Sequence, residues 1–186
     1  MVDNSRTDKN TTHSYLELYN KLLYSKKLTA KNILEVGLVE CGGGGSIKLW
    51  HDFFTNANIY GLDIKSINEV WDGIKHNPKI ILHTSIDAYN TEFFTDNFLN
   101  KNIKFDFMLD DGPHTLESMI RFIQLYSQIM TNDGILIIED VQSIDWIDKL
   151  KNEVPEKLKP FIKVYDLREN KGRYDDIVFT IDRSNI

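Results

Sequence analysis

Two acidic pairs and one histidine are the residues of this chain best suited to chemistry. Asp110-Asp111 and Glu139-Asp140 each close an apolar run, and His114 follows the first pair across a short turn. If the two runs are neighbouring parallel strands, the four carboxylates converge on one edge of a sheet. Such close like charges repel unless they are neutralised. A hard divalent cation with oxygen ligands, such as Mg²⁺, is the simplest remedy.

The position of His114 predicts a proton acceptor beside that ion. A neutral imidazole can take the proton of a substrate hydroxyl whose pKa a metal has lowered. The structural alternative is that Asp111 caps a helix beginning near Thr115 and that His114 is an ordinary residue of its first turn. The repetition of acidic pairs at two strand ends favours the metal-assisted interpretation.

A glycine-rich segment after the first apolar run predicts a ligand-binding loop. Glu35 and Gly37 end that run, and Gly42 and Gly43 begin a run of four glycines before a helix. Glycines let a ligand approach the backbone closely. Asp63 lies at the end of the second run, where nucleotide-binding folds hold ribose hydroxyls. Together these features predict an adenosine-containing cofactor, with a flexible turn and a helix cap as the alternatives. The absence of a GxGxxG or Walker A spacing disfavours NAD and nucleoside phosphates.

The strands and helices that position these residues are predicted from apolar runs that alternate with helix-length segments. Strands are predicted at Asn32–Gly37, Asn58–Asp63, Lys79–His83, Phe105–Asp110, Gly134–Glu139, Phe161–Tyr165 and Asp176–Ile181. Helices are predicted from a Thr12 cap to Lys26 and at Ser46–Phe54, Thr115–Met130 and Ser143–Val154. Strands that are apolar on both faces are typical of a parallel sheet covered by helices.

This order predicts an α/β fold with a Rossmann-like, doubly wound, seven-stranded sheet. The sheet is expected to be mostly parallel. Its last two strands are joined by residues 166–175, too few for a helical crossover, which predicts a C-terminal antiparallel hairpin. We expect residues 1–186 to form a single domain, with 1–28 as an N-terminal lid or helix and 29–186 as the core.

Composition narrows the partners and the compartment. A net charge of −6 without a basic stripe disfavours nucleic acid as a partner. No apolar run reaches the roughly 18–20 residues of a membrane span. The polar start lacks a signal-peptide core, and Cys41 is the single cysteine. The expected location is therefore cytoplasmic, with no membrane partner.

Several motifs resemble one enzyme family. They are Asp110–His114, Ile137–Asp140, Ser46–Trp50 before Tyr60–Asp63, and Thr7-Asp8-Lys9 followed by His13 and Tyr15. They resemble the metal-dependent sugar O-methyltransferases of macrolide biosynthesis, the mycinamicin-type enzymes, which share a core with the cephalosporin-hydroxylase-like family. The resemblance extends over nearly the whole chain. It implies a class I methyltransferase that uses S-adenosylmethionine and Mg²⁺.

The resemblance also implies roles for particular residues. The metal ligands would be Asp111, Glu139 and Asp140, and the general base His114. With the glycine-rich loop, the cofactor contacts would be Glu35, Gly37, Gly42, Gly43, Asp63, Ile64, Ser85, Ile86, Asp87 and Asp110. In such enzymes the N-terminal segment folds over the cofactor, so contacts with substrate or methionine are expected at Thr7, Asp8, Lys9 and His13, with a disordered tail before an ordinary helix start as the alternative. Arg173 is a further candidate for the acceptor pocket, with hairpin surface as its alternative.

The function expected from these assignments is methyl transfer to a sugar hydroxyl. The products would be S-adenosylhomocysteine and a methyl ether, and the acceptor a free sugar, a nucleotide sugar or a glycan. Two alternatives stay open: a phenolic or amino-sugar acceptor on the same fold, and a cofactor-binding domain without catalysis. The sequence leaves the oligomeric state open, with a homo-oligomer among the options.

Overall fold

The computed structural model describes residues 3–39 and 42–184, so the expectation about Cys41 lies outside the described residues. Its seven strands are β1 Asn32–Val36, β2 Asn58–Leu62, β3 Ile80–His83, β4 Phe105–Asp110, β5 Met130–Ile138, β6 Ile162–Asp166 and β7 Ile177–Asp182. They form one sheet in the order β3-β2-β1-β4-β5-β7-β6. Strands β1 to β5 are parallel, and β7 runs antiparallel between β5 and β6. The predicted fold class is confirmed.

Helices cover both faces of this sheet. They are α1 Tyr15–Leu23, α2 Gly45–Phe53, α3 Asp72–Lys75, α4 Thr91–Phe94, α5 Leu116–Tyr126, α6 Ile147–Glu153 and α7 Arg168–Lys171. Short 3₁₀ turns flank several of them, and a π-helical turn, Thr95–Leu99, extends α4. Within residues 3–39 and 42–184, every helix is too short or too polar to cross a bilayer.

Several predicted boundaries were wrong. Helix α1 begins at Tyr15 and not after Thr12, because the N–H groups of residues 11–13 all bond to the Asp8 carbonyl and close a turn there. Helix α5 ends at Tyr126, and Met130, expected in that helix, begins β5 by pairing with Phe105. A register shift follows this pair.

Other elements did not appear in the sequence pattern. Helices α3 and α4 are single turns, too short for a 3.6-residue periodicity to emerge. The predicted hairpin connection, 166–175, contains the one-turn helix α7, which ends at Gly172 with a positive φ. Antiparallel pairing of β6 with β7 is nevertheless as expected.

The core explains why the central strands are apolar on both faces. Met108 of β4 packs with Phe122 and Leu136 on one side of the sheet. Its neighbour Phe107 packs with Trp50 on the other side. Successive side chains of a strand point to opposite faces, so both faces of a strand covered by helices are apolar. Apolar side chains thus fill the helix-covered stretches of the central strands, and the site lies beyond the carboxyl ends of these strands.

Candidate active site

Strand register brings the predicted site residues to one edge of the sheet. Val36 is paired with both Leu62 and Asp110, and Asp110 is paired with Ile138. The residues that follow these strands, among them Asp111 and Glu139, therefore leave the sheet side by side. Two cavities open at this edge.

The first, the large cavity, has a volume of about 680 Å³ and lies beyond β1, β2 and β4. It is lined by Val36, Gly37, Leu38, Val39, Leu62, Asp63, Ile64, Lys65, Glu69, Ile86, Asp87, Ala88, Tyr89, Asp111, Gly112 and Pro113. Five of the predicted cofactor residues are among them: Gly37, Asp63, Ile64, Ile86 and Asp87. Five others are not lining residues: Glu35, Gly42, Gly43, Ser85 and Asp110.

Asp63 organises the mouth of the large cavity. One carboxylate oxygen accepts the N–H groups of Leu38 and Val39 at 2.8 and 3.0 Å, and the other accepts that of Lys65 at 2.7 Å. The carboxylate therefore ties the loop after β1 to the loop after β2. Three bonds leave part of its acceptor capacity for a ligand hydroxyl.

Gly37 lets the β1 loop pass against the end of β4. Its φ is +82°, and a Cβ there would lie 1.9 Å from the carbonyl oxygen of Asp111. Gly42 makes a similar approach to another segment of the chain, because its Cβ would lie 2.7 Å from the Cα of Arg6. Gly43 accepts the N–H of Trp71 at 2.8 Å. Gly42 and Gly43 are thus packed against protein atoms.

Asp110 is buried behind the wall of the large cavity. Its carboxylate accepts the hydroxyl of Tyr89 at 2.5 Å. Burial and, to a smaller extent, the charge of Asp111 raise the pKa of Asp110 to about 7, against the effect of this bond. Tyr89 lines the cavity, but the sequence carried no signal for it, because it is a lone tyrosine in a loop.

The second cavity, the acidic pocket, has a volume of about 350 Å³. It is lined by Arg6, Thr7, Asp8, Lys9, His13, Gly37, Leu38, Ser46, Asp111, His114, Asp140, Arg173 and Asp175. The predicted substrate residues Thr7, Asp8, Lys9, His13 and Arg173 all belong to this lining. The two cavities meet at the residues common to both linings, Gly37, Leu38 and Asp111.

Asp111, His114 and Asp140 converge in the acidic pocket. His114 Nε2 lies 3.8 Å from Asp111 Oδ1 and 3.7 Å from Asp140 Oδ2. One ligand atom from each residue lies within 4.8 Å of the other two, a spacing that can hold a metal ion. His114 and Asp140 have φ values of 52° and 54°. Such left-handed conformations are uncommon for residues with side chains and cluster at functional sites.

Glu139 is turned toward Lys9. The side chain of Lys9 is 1% exposed, and its ammonium donates to Asp111 Oδ2 at 2.7 Å and to Glu139 Oε1. Glu35 Oε1 lies 3.8 Å from the same ammonium. Burial lowers the pKa of Lys9, but the three carboxylates outweigh burial and raise it well above its usual value. Lys9 is therefore a cation in the middle of the converging acids, a role the sequence did not indicate.

Burial in this arrangement disfavours the charged forms of Glu35 and Glu139. Burial raises the pKa of Glu35 to about 7, opposed by Lys9. Burial also raises the pKa of Glu139, again opposed by Lys9. Glu35 accepts the indole N–H of Trp50 at 2.6 Å. Within residues 3–39 and 42–184, Glu35 Oε1 and Glu139 Oε2 are buried oxygens without a hydrogen-bond partner.

His13 joins a second buried acidic cluster. Its Nδ1 lies 2.6 Å from Asp176 Oδ1, and one ligand atom each from His13, Asp175 and Asp176 lies within 4.8 Å of the others. Burial lowers the pKa of His13, but Asp140, Asp176 and Asp8 raise it overall. Asp175 is paired with Arg173 at 2.9 Å. Arg173 thus neutralises one acid of this cluster, and the His13 ring is hydrogen-bonded to another.

Tyr15 links the two clusters. Its hydroxyl donates to Asp140 Oδ1 and lies 3.3 Å from Asp176 Oδ1, and its ring stacks on His13 with centroids 4.9 Å apart. The sequence placed Tyr15 on the apolar stripe of a helix and in the motif that begins with Thr7-Asp8-Lys9, but it gave Tyr15 no contact with these acids. Asp175 and Asp176 counted only as residues of the hairpin. A functional role for these residues was missed.

Residues 3–13, which we call the N-terminal strap, form one wall of the acidic pocket. Lys171 donates to the carbonyls of Asn10 and Thr11 at 2.6 and 2.8 Å. At the other end, the guanidinium of Arg6 lies 4.2 Å from the ring centroid of Trp71. The strap is therefore anchored to the hairpin and to the β2–β3 connection, with Lys9 between.

This sheet order, with β7 antiparallel between β5 and β6 and a cavity beyond β1 and β2, is the fold of class I methyltransferases. The MycE methyltransferase of mycinamycin biosynthesis, solved with Mg and S-adenosylhomocysteine, superposes with a TM-score of 0.69 at 20% identity, covering 92% of this chain and 50% of that one. The O-methyltransferase of Bacillus cereus, solved with S-adenosylhomocysteine, gives 0.60 at 15% identity, covering 89% and 79%.

Curated relatives agree with the resemblance expected from the motifs. Mycinamicin VI 2''-O-methyltransferase of Micromonospora griseorubida is 30% identical over 106 residues, 56% of this chain and 24% of that protein. A rhamnosyl tetracenomycin-C 2'-O-methyltransferase of Streptomyces olivaceus is 23% identical over 145 residues, 75% of this chain and 36% of that protein. The matches thus span about a quarter to a third of the relatives' length. No family model matches the chain.

Proposed function

We propose that this chain is an S-adenosylmethionine- and Mg²⁺-dependent O-methyltransferase acting on a hydroxyl of a sugar or glycosylated small molecule. The observation that carries the proposal is the grouping of Asp111, His114 and Asp140 where the acidic pocket meets the large cavity. A methyl donor in one cavity and an acceptor in the other would meet beside this group. The relatives that act on sugars of mycinamicin and tetracenomycin support the choice of acceptor.

The large cavity is the proposed cofactor site. Asp63 would hold the ribose hydroxyls, and Ile86 and Asp87 would lie beside the adenine. S-Adenosylmethionine supplies a methyl group on a positively charged sulfur. The contacts predicted for Glu35, Gly42, Gly43, Ser85 and Asp110 stay predictions, and from their positions these residues would act by shaping the cavity wall.

The acidic pocket suits a hard divalent ion. Asp111 and Asp140 offer carboxylate oxygens, and the unpartnered, buried Oε2 of Glu139 is a donor of the same kind. We therefore keep Asp111, Glu139 and Asp140 as the proposed ligands. A bound Mg²⁺ would lower the pKa of the acceptor hydroxyl and orient it.

His114 is the proposed general base. Asp111 and Asp140 flank its imidazole and would stabilise the imidazolium that forms. His114 would accept the proton of the acceptor hydroxyl as the acceptor oxygen takes the methyl group from the sulfonium sulfur. The products are a methyl ether and S-adenosylhomocysteine.

The N-terminal strap completes the proposed acceptor site. Thr7, Asp8, Lys9 and His13 line the acidic pocket, with Arg173 from the hairpin. This arrangement supports a single domain in which residues 1–28 cover a core of 29–186. The proposed acceptors are small molecules, and the cytoplasmic location stays a prediction.

Methyl transfer from labelled S-adenosylmethionine to a panel of free sugars, nucleotide sugars and glycosides tests the function. We expect a methylated product on oxygen, identified by mass spectrometry and NMR. EDTA is expected to abolish transfer and excess Mg²⁺ to restore it. Full activity in EDTA would refute the metal dependence. An N-methylated product or a phenolic ether would identify the acceptor as an amino sugar or a phenol. If calorimetry detects no cofactor binding, the chain is not a methyltransferase.

A further inference from the structure

We infer that Lys9 is an internal competitor of the divalent cation. Its ammonium holds Asp111 and Glu139 in the cation-free protein and releases them when the cation binds. This inference rests on the proposed function, from which it takes the metal dependence. It adds to that function a direct competition between Lys9 of the N-terminal strap and the ion for the same carboxylates.

The first support is the geometry of Glu139. Its Oε1 accepts from Lys9, and its buried Oε2 has no hydrogen-bond partner in the part of the chain that the structure describes. Among the described residues, Glu139 is not part of the cluster formed by Asp111, His114 and Asp140. To join an ion held by Asp111 and Asp140, the Glu139 carboxylate must shift from this position, in which the ammonium holds its Oε1.

The second support is that Asp111 belongs to both arrangements. Its Oδ2 accepts from Lys9 at 2.7 Å, while its Oδ1 faces His114. An ion on this carboxylate therefore brings two positive charges close to a buried ammonium. At low effective dielectric the repulsion between such charges is strong. The ammonium and the ion thus oppose each other through a shared ligand.

The third support is the balance of charge around the ammonium. Three carboxylates, those of Glu35, Asp111 and Glu139, surround one lysine. One positive charge among three carboxylates leaves the group with fewer positive than negative side chains. A divalent ion supplies twice the charge of the ammonium to the same acids. The exchange is therefore electrostatically favourable.

The exchange has a mechanical consequence because Lys9 lies in the strap. Its side chain is the fully buried contact between the strap and the sheet edge. The contacts of Lys171 and Arg6 hold the strap on either side of it. Release of Lys9 should therefore loosen the middle of the strap without detaching it, opening the acidic pocket for an acceptor.

Calorimetric titration with MgCl₂ in the absence of cofactor tests the competition. We expect Lys9→Met to bind Mg²⁺ at least about tenfold more tightly than the wild type, because one opposing charge is gone. Lys9→Arg retains the charge and should bind like the wild type. The matched control is Lys26→Met, which removes another buried lysine, paired with Asp133 at 2.7 Å far from the site. Its Mg²⁺ affinity should be unchanged.

Hydrogen–deuterium exchange of the wild type tests the release without any substitution. Adding Mg²⁺ should accelerate exchange at the amides of residues 7–11 and leave α5 unchanged. Equal or weaker Mg²⁺ binding by Lys9→Met, or greater protection of the strap with Mg²⁺, overturns the inference while the metal dependence stands. If neither protein binds Mg²⁺, the inference and the metal dependence fail together, and cofactor titration still reports on methyl-donor binding.

Discussion

The large cavity and the acidic pocket share Gly37, Leu38 and Asp111 but stabilise buried charge in different ways. In the large cavity, Asp63 is satisfied by three backbone N–H groups of adjoining loops. In the acidic pocket, carboxylates are matched by side-chain cations from distant parts of the chain. Lys9 reaches Asp111 across 102 positions and Glu139 across 130. The first region is built by local backbone geometry, whereas the second exists only once the strap has docked.

The largest difference between the regions is expected at His114. Replacing it with alanine removes the proposed base from the acidic pocket and leaves the large cavity intact. We expect methyl transfer to fall about 10²- to 10⁴-fold, the usual contribution of a general base, with unchanged cofactor affinity. Initial rates and calorimetry measure the two quantities.

The control for this change is His76→Ala, an exposed histidine outside both linings. It should leave the rate unchanged. Retention of most activity by His114→Ala would mean that the acceptor needs no base, as an amine would.

The next effect is the pH dependence of stability that Glu35, beside Lys9, contributes. The pKa of Glu35 is about 7 in the folded protein, above its usual 4.5. A carboxyl with a raised pKa stabilises the fold below about pH 4.5, and this contribution is lost as the pH rises through 7. In the absence of metal, Glu35→Gln should remove part of this decline, on the order of 3 kcal/mol across the window.

Urea unfolding at a series of pH values measures that decline. Glu17→Gln, at an exposed position of α1, is the matched control and should retain the wild-type slope. If Glu35→Gln has the same slope as the wild type, the pKa of Glu35 is not raised in the folded protein.

A smaller effect is expected from the backbone-satisfied carboxylate of the large cavity. Asp63→Ala frees three loop N–H groups and removes the proposed ribose contact. Cofactor affinity should fall about 10- to 100-fold, equivalent to roughly 1.4–3 kcal/mol. Asp106 is a matched control, because it accepts the N–H groups of Lys31 and Asn32 at the opposite end of the sheet. Asp106→Ala should destabilise the fold without lowering the cofactor affinity. An equal loss of cofactor affinity in both variants would refute the role of Asp63.

The smallest effect compares two buried tyrosines. The hydroxyl of Tyr15 donates to a carboxylate, Asp140, and that of Tyr126 donates to the carbonyl of Ala88 at 2.8 Å. Hydrogen bonds to charged groups contribute about 1.5–3 kcal/mol and neutral ones about 0.5–1.5 kcal/mol. Chemical denaturation should therefore show a larger loss of unfolding free energy for Tyr15→Phe than for Tyr126→Phe. The reverse order would mean that Asp140 is solvated rather than held by Tyr15.

The sequence predicted the features that depend on local patterns and missed those that depend on contacts between distant parts of the chain. Apolar runs such as Ile135–Ile138 indicated central strands, and the acids after them indicated where the edge of the sheet lies. One-turn helices such as α3 carry no periodicity and were missed. The partners of the acids were missed for another reason. Lys9 was expected to contact the substrate and Tyr15 belonged to the same motif, but only folding brings their side chains to carboxylates more than 100 positions away.

The contact between Gly37 and Asp111 has a consequence for ligand binding. With no side chain between them, the loop after β1 rests directly on the backbone that carries Asp111. A methyl donor that shifts this loop must therefore also shift Asp111, whose side chain lines the acidic pocket. Binding of the donor in the large cavity should then change the affinity of the acidic pocket for the acceptor. By thermodynamic linkage, binding of the acceptor changes the donor affinity by the same factor.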